Sequence, residues 1–161
     1  MQTAYLAGGC FWCVEAIFQR VNGVKEVKNG YCNGSTQNPS YEAICTGHTG
    51  HAEVLKVDFD ESEVSYESLL EVFFETHNPT TLNQQGADKG TQYRSAIFYT
   101  SDSQKQIATS VIGNIKGAVT EITELDVFYP AEAYHQDYFN NNANQPYCQM
   151  VILPKINKYF K

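Results

Sequence analysis

The apolar and polar positions change period several times along the chain, and these changes predict strands and helices in a mixed order. Extended patterns predict strands over residues 3–8, 24–31, 52–59, 95–100 and 122–128. Helical spacing predicts helices over residues 11–20, 66–77, 102–116 and 131–139. Two segments without a period, 32–50 and 78–93, predict loops of a length that is usually functional.

The predicted elements form one domain, because no repeat and no linker interrupts residues 1–161. Strands and helices in this order predict the α+β class, with helices packed on a sheet. The Asn-rich run that starts at residue 140 disfavours a helix. We therefore expect residues 140–161 to form an extended, irregular tail.

The composition supports a single folded domain and argues against several classes of function. With 161 residues, of which 42% are hydrophobic, the chain can build one core without cross-links. A formal net charge of −7 without a basic cluster argues against nucleic-acid binding. The chain has no run of about 18 apolar residues and no signal-peptide pattern at its start. We therefore expect a cytoplasmic protein with no membrane partner, and we treat it as a monomer.

Cys10 is the leading candidate for chemistry, because it lies between the strand predicted over residues 3–8 and the helix predicted over residues 11–20. At the start of a helix, unpaired N–H groups and the helix dipole favour a thiolate. Phe11 and Trp12 follow directly, and Trp12 is the only tryptophan of the chain. The pattern predicts a nucleophile beside an apolar wall, and hence a target with an apolar part.

The chain has five cysteines, and this odd number argues against a static disulfide framework. In a reducing compartment, transient redox chemistry, metal binding and simple burial remain as alternatives. Cys13 is a potential partner thiol for Cys10. Cys148 lies in the predicted tail, and a mobile tail can carry it to another sulfur. Burial is predicted for Cys45, and no role is predicted for Cys32.

Polar candidates lie in and beside the two predicted loops. Glu53 begins a strand on the same face as Leu55, which predicts a half-buried carboxyl. Burial raises the pKa of a carboxyl, so Glu53 can act as a general acid. Tyr41 and Tyr93 can each offer a phenol to a ligand. Asp88 lies between Gly86 and Gly90, where a turn residue is the more common role.

Two other functions use the same cysteine pair. A thioredoxin-like dithiol oxidoreductase needs both Cys10 and Cys13 and makes no use of Glu53. A zinc module would add His48 and His51 as further ligands. Loss of all activity on Cys13→Ser would indicate the first function, and about one zinc per chain would indicate the second.

Seven motifs, in this order along the chain, resemble the peptide methionine sulfoxide reductase A family. They are Gly9-Cys10-Phe11-Trp12, Gly30-Tyr31, Asn38-Pro39-Ser40-Tyr41, Thr49-Gly50-His51-Ala52-Glu53, Gly90-Thr91-Gln92-Tyr93-Arg94-Ser95, Tyr134-His135-Gln136 and Pro146-Tyr147-Cys148. The resemblance covers nearly the whole chain, and an ordered set of motifs is far more specific than a single Cys-x-x-Cys.

The resemblance implies thiol-dependent reduction of methionine S-sulfoxide, free or in proteins, with thioredoxin as the reductant and no cofactor or metal. Cys10 would attack the sulfoxide sulfur and become a sulfenic acid. A protonated Glu53 would donate to the sulfoxide oxygen, with help from Tyr41 and Tyr93. Cys148 would then resolve the sulfenic acid into a disulfide, which thioredoxin reduces.

The resemblance also implies roles in substrate binding and a more specific fold. Phe11 and Trp12 would form the pocket for the methyl group, and Asp88 and His135 would position the substrate backbone. Cys13 stands where many members have glycine, which makes it a second candidate for the resolving thiol. The implied fold is a two-layer α/β sandwich, a ferredoxin-like variant with a mixed sheet.

Overall fold

Strands and short helices alternate along residues 1–160, which the computed structural model describes. The strands are β1 (Gln2–Gly8), β2 (Val24–Cys32), β3 (Ala52–Phe59), β4 (Gln84–Gln85), β5 (Asp88–Lys89), β6 (Ser95–Tyr99), β7 (Glu121–Glu124) and β8 (Tyr129–Pro130). The helices are α1 (Phe11–Phe18), α2 (Tyr41–Cys45), α3 (Tyr66–Thr76), α4 (Asp102–Ile112), α5 (Tyr138–Asn141) and α6 (Leu153–Tyr159). A π-helical turn covers Cys148–Ile152, and 3₁₀ turns cover Thr91–Tyr93 and Ala133–His135. No helix within these residues has the length and apolar character needed to cross a membrane.

Six strands form one mixed sheet in the order β7-β6-β1-β3-β2-β8. The pairs among β1, β2, β3 and β6 are antiparallel, and β7 runs parallel to β6. With α1 after β1 and α3 after β3, the centre of the molecule is a βαββαβ unit of the ferredoxin-like type. The predicted α+β class and the mixed sheet are confirmed.

The helices lie against one face of the sheet and bury alternate strand residues. Leu6, Leu55 and Ile97 belong to the core on the helix side and are fully buried. Val54 and Phe98, one position away in their strands, belong to a smaller core on the opposite face. Glu53 shares the face of Leu55, as its parity in the sequence predicts.

The strand register brings the ends of three strands to one edge of the sheet. Leu6 lies opposite Leu55 in the β1–β3 pair, and the same antiparallel register places Gly8 level with Glu53. Gly8 also lies opposite Ser95 in the β1–β6 pair. The end of β1 therefore meets the starts of β3 and β6, and the two long predicted loops lead into those starts.

The helix boundaries follow local signals where these are strong. Ser65 and Ser101 cap α3 and α4, since each side chain accepts a hydrogen bond from the backbone N–H three residues on. The helix predicted over residues 131–139 is divided into a 3₁₀ turn and α5. Asp137 causes the division, because its left-handed backbone (φ 55°) cannot continue a helix.

The expected irregular tail is wrong over residues 148–159, which form the π-helical turn and α6. Ile152 and Ile156, one helical turn apart, bury their side chains in the core on the helix side, and this packing outweighs the polar run before them. Pro154 lies in the first turn of α6, directly after the π-helical turn, where the hydrogen-bond pattern of the helix changes. Lys161, the last residue of the predicted domain, lies outside the described residues.

Candidate active site

Cys10 lies at the predicted junction, at the N-cap of α1 directly after β1, and its side chain is only 8% exposed. Burial raises the pKa of the Cys10 thiol well above its ordinary value, and a hydrogen bond with Cys13 adds to this rise. The backbone N–H of Trp12 lowers this pKa without offsetting burial. This direction is opposite to the one that a helix start predicts, and it favours the thiol form of Cys10 in the free protein.

Cys13 lines the same cavity as Cys10, a space of about 290 Å³ that we call the thiol cavity. A hydrogen bond from the Cys10 thiol lowers the pKa of Cys13 to about 7, and the ammonium of Lys155 acts in the same direction against burial. The Tyr147 hydroxyl lies 3.6 Å from the sulfur of Cys13. Cys13 is thus the more acidic thiol of this coupled pair, and Cys10 keeps its proton.

Glu53 supplies a protonated carboxyl beside Cys10. It is 1% exposed, and its Oε1 accepts the backbone N–H of Phe11 at 3.1 Å. Burial raises the pKa of Glu53 to about 8, so the group is mainly neutral at pH 7. Its Oε2 is buried and has no hydrogen-bond partner. That oxygen is available to a ligand, and the carboxyl is more deeply buried than the sequence predicts.

Two phenols lie close to this carboxyl. Tyr41 begins α2, and Tyr93 ends the 3₁₀ turn before β6. Burial raises the pKa of both hydroxyls. At the high pH where the phenols would titrate, Glu53 is ionised and its charge raises their pKa further. Both phenols therefore stay protonated and can donate hydrogen bonds to an oxygen atom held near Glu53.

The aromatic wall is larger than Phe11 and Trp12. Phe11 packs against the rings of Tyr31 and His135, with centroids 5.7 and 5.3 Å apart. Trp12 stacks on Tyr138 with centroids 3.8 Å apart and an angle of 8° between the rings. Sequence reasoning missed Tyr138, because it lies in the helix predicted over residues 131–139 and nothing in that pattern indicates its contact with Trp12.

A buried carboxylate holds Tyr138 over Trp12. Glu15, one helical turn after Phe11, accepts the backbone N–H groups of Asp137 and Tyr138 at 2.8 and 3.1 Å. These two bonds tie the start of α5 to α1. Sequence reasoning missed this role, since Glu15 is one of several carboxylates in helical segments and nothing local predicts its burial.

His135 lies behind the aromatic wall and is 1% exposed. Its Nδ1 accepts the indole N–H of Trp12 at 3.1 Å, which places the ring proton on Nε2. Burial lowers the pKa of His135, so the ring is neutral at pH 7. Its Nε2 is buried without a partner, which leaves an N–H donor available to a ligand.

Asp88 lines the thiol cavity, and its carboxylate is already occupied. The Tyr147 hydroxyl donates to Oδ2 of Asp88 at 2.7 Å and also lies beside Cys13. The ring of Tyr147 meets that of Trp12 edge-on at 5.9 Å. Tyr147 thus closes one side of the site, a position that its place in the predicted tail does not reveal.

Cys148 does not line the thiol cavity, but it belongs to the same buried core as Cys10 and Cys13. It is fully buried at the start of the π-helical turn, within the core on the helix side. Burial raises the pKa of its thiol, and it forms no disulfide. The expectation of a mobile tail cysteine is therefore wrong for this state, because the fold holds Cys148 near Cys13, which also raises the pKa of the Cys148 thiol.

Cys32, Cys45 and His51 do not line the thiol cavity. Cys32 is fully buried in the small core on the opposite face of the sheet. Cys45 is exposed, contrary to the prediction, because Ile44 is the residue of α2 that turns inward. The Nε2 of His51 bonds the carbonyl of Thr36. Across residues 1–160, no group of three or more His, Cys, Asp or Glu side chains is placed to hold a metal.

Comparison with known proteins gives a consistent result. The family model described as "Peptide methionine sulfoxide reductase" matches residues 2–161. The peptide methionine sulfoxide reductase MsrA of Ruthia magnifica subsp. Calyptogena magnifica is 65% identical over 161 residues, which cover 99% of each chain.

Solved structures resemble the chain as well. Mxr1 from Saccharomyces cerevisiae, in its reduced form, superposes with a TM-score of 0.84 at 36% identity, covering 91% of this chain and 88% of Mxr1. The same yeast protein in complex with Trx2 gives a TM-score of 0.58 at 25% identity, covering 85% of this chain and 84% of that one.

Proposed function

The chain belongs to the peptide methionine sulfoxide reductase family, and from that premise we propose how its own residues carry out the reaction. It is an oxidoreductase that reduces methionine sulfoxide with thiols. We assign it the S epimer, free or in proteins. A site with separate places for the oxygen, the methyl group and the rest of the substrate can distinguish the two epimers.

One observation carries the assignment of roles: a neutral carboxyl with an unpartnered oxygen lies beside a buried thiol. Sulfoxide oxygen leaves sulfur poorly unless it is protonated, so a thiol alone is insufficient. Glu53 keeps its proton at pH 7 and has a free Oε2. Tyr41 and Tyr93 add two further donors around the same oxygen.

The reduction of the sulfoxide needs no reactant other than the substrate and the side chains of the site. Glu53 protonates the sulfoxide oxygen as the sulfur of Cys10 attacks the sulfoxide sulfur, and the proton of the Cys10 thiol restores the acid form of Glu53. The hydroxyl then passes from the substrate sulfur to the Cys10 sulfur as the S–S bond between them breaks, which releases methionine and leaves Cys10 as a sulfenic acid. The substrate sulfur is reduced by two electrons and the Cys10 sulfur is oxidised by two.

The substrate is held by the wall and by two polar groups. We propose that Phe11 and Trp12 enclose the methyl group, where apolar surface favours it over water. Asp88 accepts a backbone N–H of the substrate, and the Nε2–H of His135 donates to a backbone carbonyl. Tyr147 occupies only Oδ2 of Asp88 in the free protein, so Oδ1 can accept the substrate N–H beside it.

The sulfenic acid has two candidate resolving thiols, and we propose that they act in sequence. Cys13 attacks first, since it shares the thiol cavity with Cys10 and is the more acidic thiol. This forms the Cys10–Cys13 disulfide and releases water. Cys148 then attacks the sulfur of Cys13, which forms a Cys13–Cys148 disulfide and returns Cys10 as a thiol.

We propose thioredoxin as the reductant that restores the two thiols. The yeast relative Mxr1 has been solved in complex with Trx2, which supports this partner. A dithiol that reduces disulfides fits a compartment in which thiols stay reduced, so we place the protein in the cytoplasm. We also propose that residues 1–161 act as one catalytic domain, which the span of the family match supports.

Separate epimers of free methionine sulfoxide test the function. With dithiothreitol as reductant, we expect repeated turnover of the S epimer, little or none of the R epimer, and none of either with Cys10→Ser. Cys13→Ser should still release methionine in a single turnover, whereas a thioredoxin-like dithiol enzyme would lose its activity. Equal rates for the two epimers, or full activity of Cys10→Ser, would contradict the proposal.

A further inference from the structure

We propose that a cleft beside the thiol cavity binds an acidic segment of the oxidised polypeptide, whose carboxylates are recognised by Lys155 and Lys158. The inference rests on the proposed function, because it concerns the part of a protein substrate that lies next to the methionine sulfoxide. Free methionine sulfoxide has no such segment, so the two proposals can be tested separately.

The cleft has a volume of about 610 Å³ and borders the thiol cavity. His77 and Pro79 line one side, and Tyr159 of α6 lines the other. Gln85 and Lys155 belong to the walls of both spaces. A polypeptide whose oxidised methionine reaches Cys10 through the thiol cavity can therefore place neighbouring residues in the cleft.

The wall between the two spaces is fixed by hydrogen bonds. The Gln85 amide accepts the N–H of Asn78 at 2.8 Å and donates to its carbonyl at 2.9 Å. Gln85 also lies against the backbone before Cys10, since a Cβ on Gly9 would lie 2.6 Å from its side chain. The contacts of Gln85 therefore fix the position of the cleft relative to Cys10.

Two lysines give the cleft its charge. Lys155 and Lys158 are three residues apart on α6, so they share one helix face. Neither takes part in an ion pair within residues 1–160. The ammonium of Lys155 lowers the pKa of both Cys13 and His77, which agrees with a position between the two spaces.

The charge of the whole protein makes this local pair important. A net charge of −7 repels acidic polypeptides at long range, but salt screens such repulsion beyond about 10 Å at 0.1 M ionic strength. Contacts within the cleft then decide which sequences bind. Glu75 also lines the cleft, and its carboxylate disfavours an acidic side chain near it and directs that side chain toward Lys155 and Lys158.

Matched peptides test the inference, with dithiothreitol as reductant so that no protein reductant competes for the surface. Each peptide carries one central methionine S-sulfoxide flanked on both sides by Glu, by Ser or by Lys. We expect kcat/KM for the Glu peptide to exceed that for the Lys peptide about fivefold at low salt. The ratio should fall toward one in high salt, because exposed charges are screened.

Charge reversal tests whether Lys158 causes the preference for the Glu peptide. Lys158→Glu should abolish or invert the preference, whereas Lys116→Glu, the same change on the exposed segment after α4, should leave the ratio and the activity unchanged. Equal rates for the three peptides, or a preference that survives Lys158→Glu, would overturn the inference while turnover of free methionine S-sulfoxide continued. Failure to turn over the free S-sulfoxide would instead overturn the proposed function.

Discussion

At the residue scale, the chemistry depends on the protonation of one buried carboxyl. Glu53 has a single hydrogen bond, from the N–H of Phe11, and that bond does not offset the burial that raises its pKa to about 8. Positioned general acids contribute about 10²–10⁴-fold to the rates of their reactions. Replacement of Glu53 by a side chain of the same shape without an acidic proton should remove that contribution to the rate.

Glu53→Gln is therefore expected to slow methionine formation about 100-fold or more in a single turnover, measured by rapid quench with the S-sulfoxide. Tyr66→Phe is a matched control, because it removes a buried oxygen that has no partner and lies outside the site. It should keep the normal rate. An undiminished rate for Glu53→Gln would remove this carboxyl from the mechanism.

The same carboxyl makes stability depend on pH. Its folded-state pKa of about 8 lies above the value of about 4.3 for an exposed Glu, so the folded protein binds this proton more tightly than the unfolded chain. The contribution of this proton to the free energy of unfolding is complete below about pH 4.3 and is lost as the pH rises through 8. Relative to wild type, the free energy of unfolding of Glu53→Gln should therefore increase from pH 5 to 8, as measured in urea. A pH-independent difference would contradict the shift.

Sequence reasoning at this scale succeeds where the signal is local. The position of Cys10 at a helix start and the face of Glu53 follow from neighbouring residues alone. The protonation of Cys10 does not, because it depends on burial that distant segments create. Tyr147 and Asp88, which meet in a hydrogen bond, are 59 residues apart, so no local pattern reveals their contact.

At the element scale, the proposed second half of the reaction depends on the C-terminal helical segment. Tyr147 holds Asp88 and lies beside Cys13, and the next residue, Cys148, is buried in the core. A substrate that moves the Tyr147 side chain should also move the start of the π-helical turn, and in the proposed mechanism this movement would link substrate binding to the resolving thiol.

The proposed order of thiols predicts how much methionine forms without any reductant. Wild type should release about two methionines per chain, because Cys148 returns Cys10 as a thiol after the first reduction. Cys148→Ser should release about one methionine per chain and should then remain in the Cys10–Cys13 disulfide form, which peptide mapping by mass spectrometry identifies. A single methionine from wild type, with Cys10 joined directly to Cys148, would contradict this order.

Stability measurements test whether the C-terminal segment belongs to the fold. Ile156→Ala should lower the free energy of unfolding by about 2–4 kcal/mol in urea, because it leaves a cavity in the core on the helix side. Asn157→Ala, on the exposed face of the same helix, should change it by less than about 0.5 kcal/mol. A negligible loss for Ile156→Ala would fit the irregular tail that the Asn-rich sequence predicts.

At the scale of the whole molecule, the antiparallel register assembles the site. Because Gly8 is level with Glu53 and opposite Ser95, the nucleophile after β1, the acid in β3 and the phenol before β6 meet at one edge. The strands themselves are predictable from their periodicity, and the family resemblance predicts which residues meet. The pairing is not predictable from periodicity, since it joins segments separated by long loops.

The most direct test of the central claim uses the double variant Cys13→Ser and Cys148→Ser, which leaves Cys10 as the only thiol of the site. One equivalent of methionine S-sulfoxide is added together with a 1,3-diketone that traps sulfenic acids, and the products are analysed by mass spectrometry. The account predicts about one methionine per chain and a matching amount of trapped adduct on Cys10. Absence of methionine, or methionine formed with the adduct on another cysteine, would contradict it.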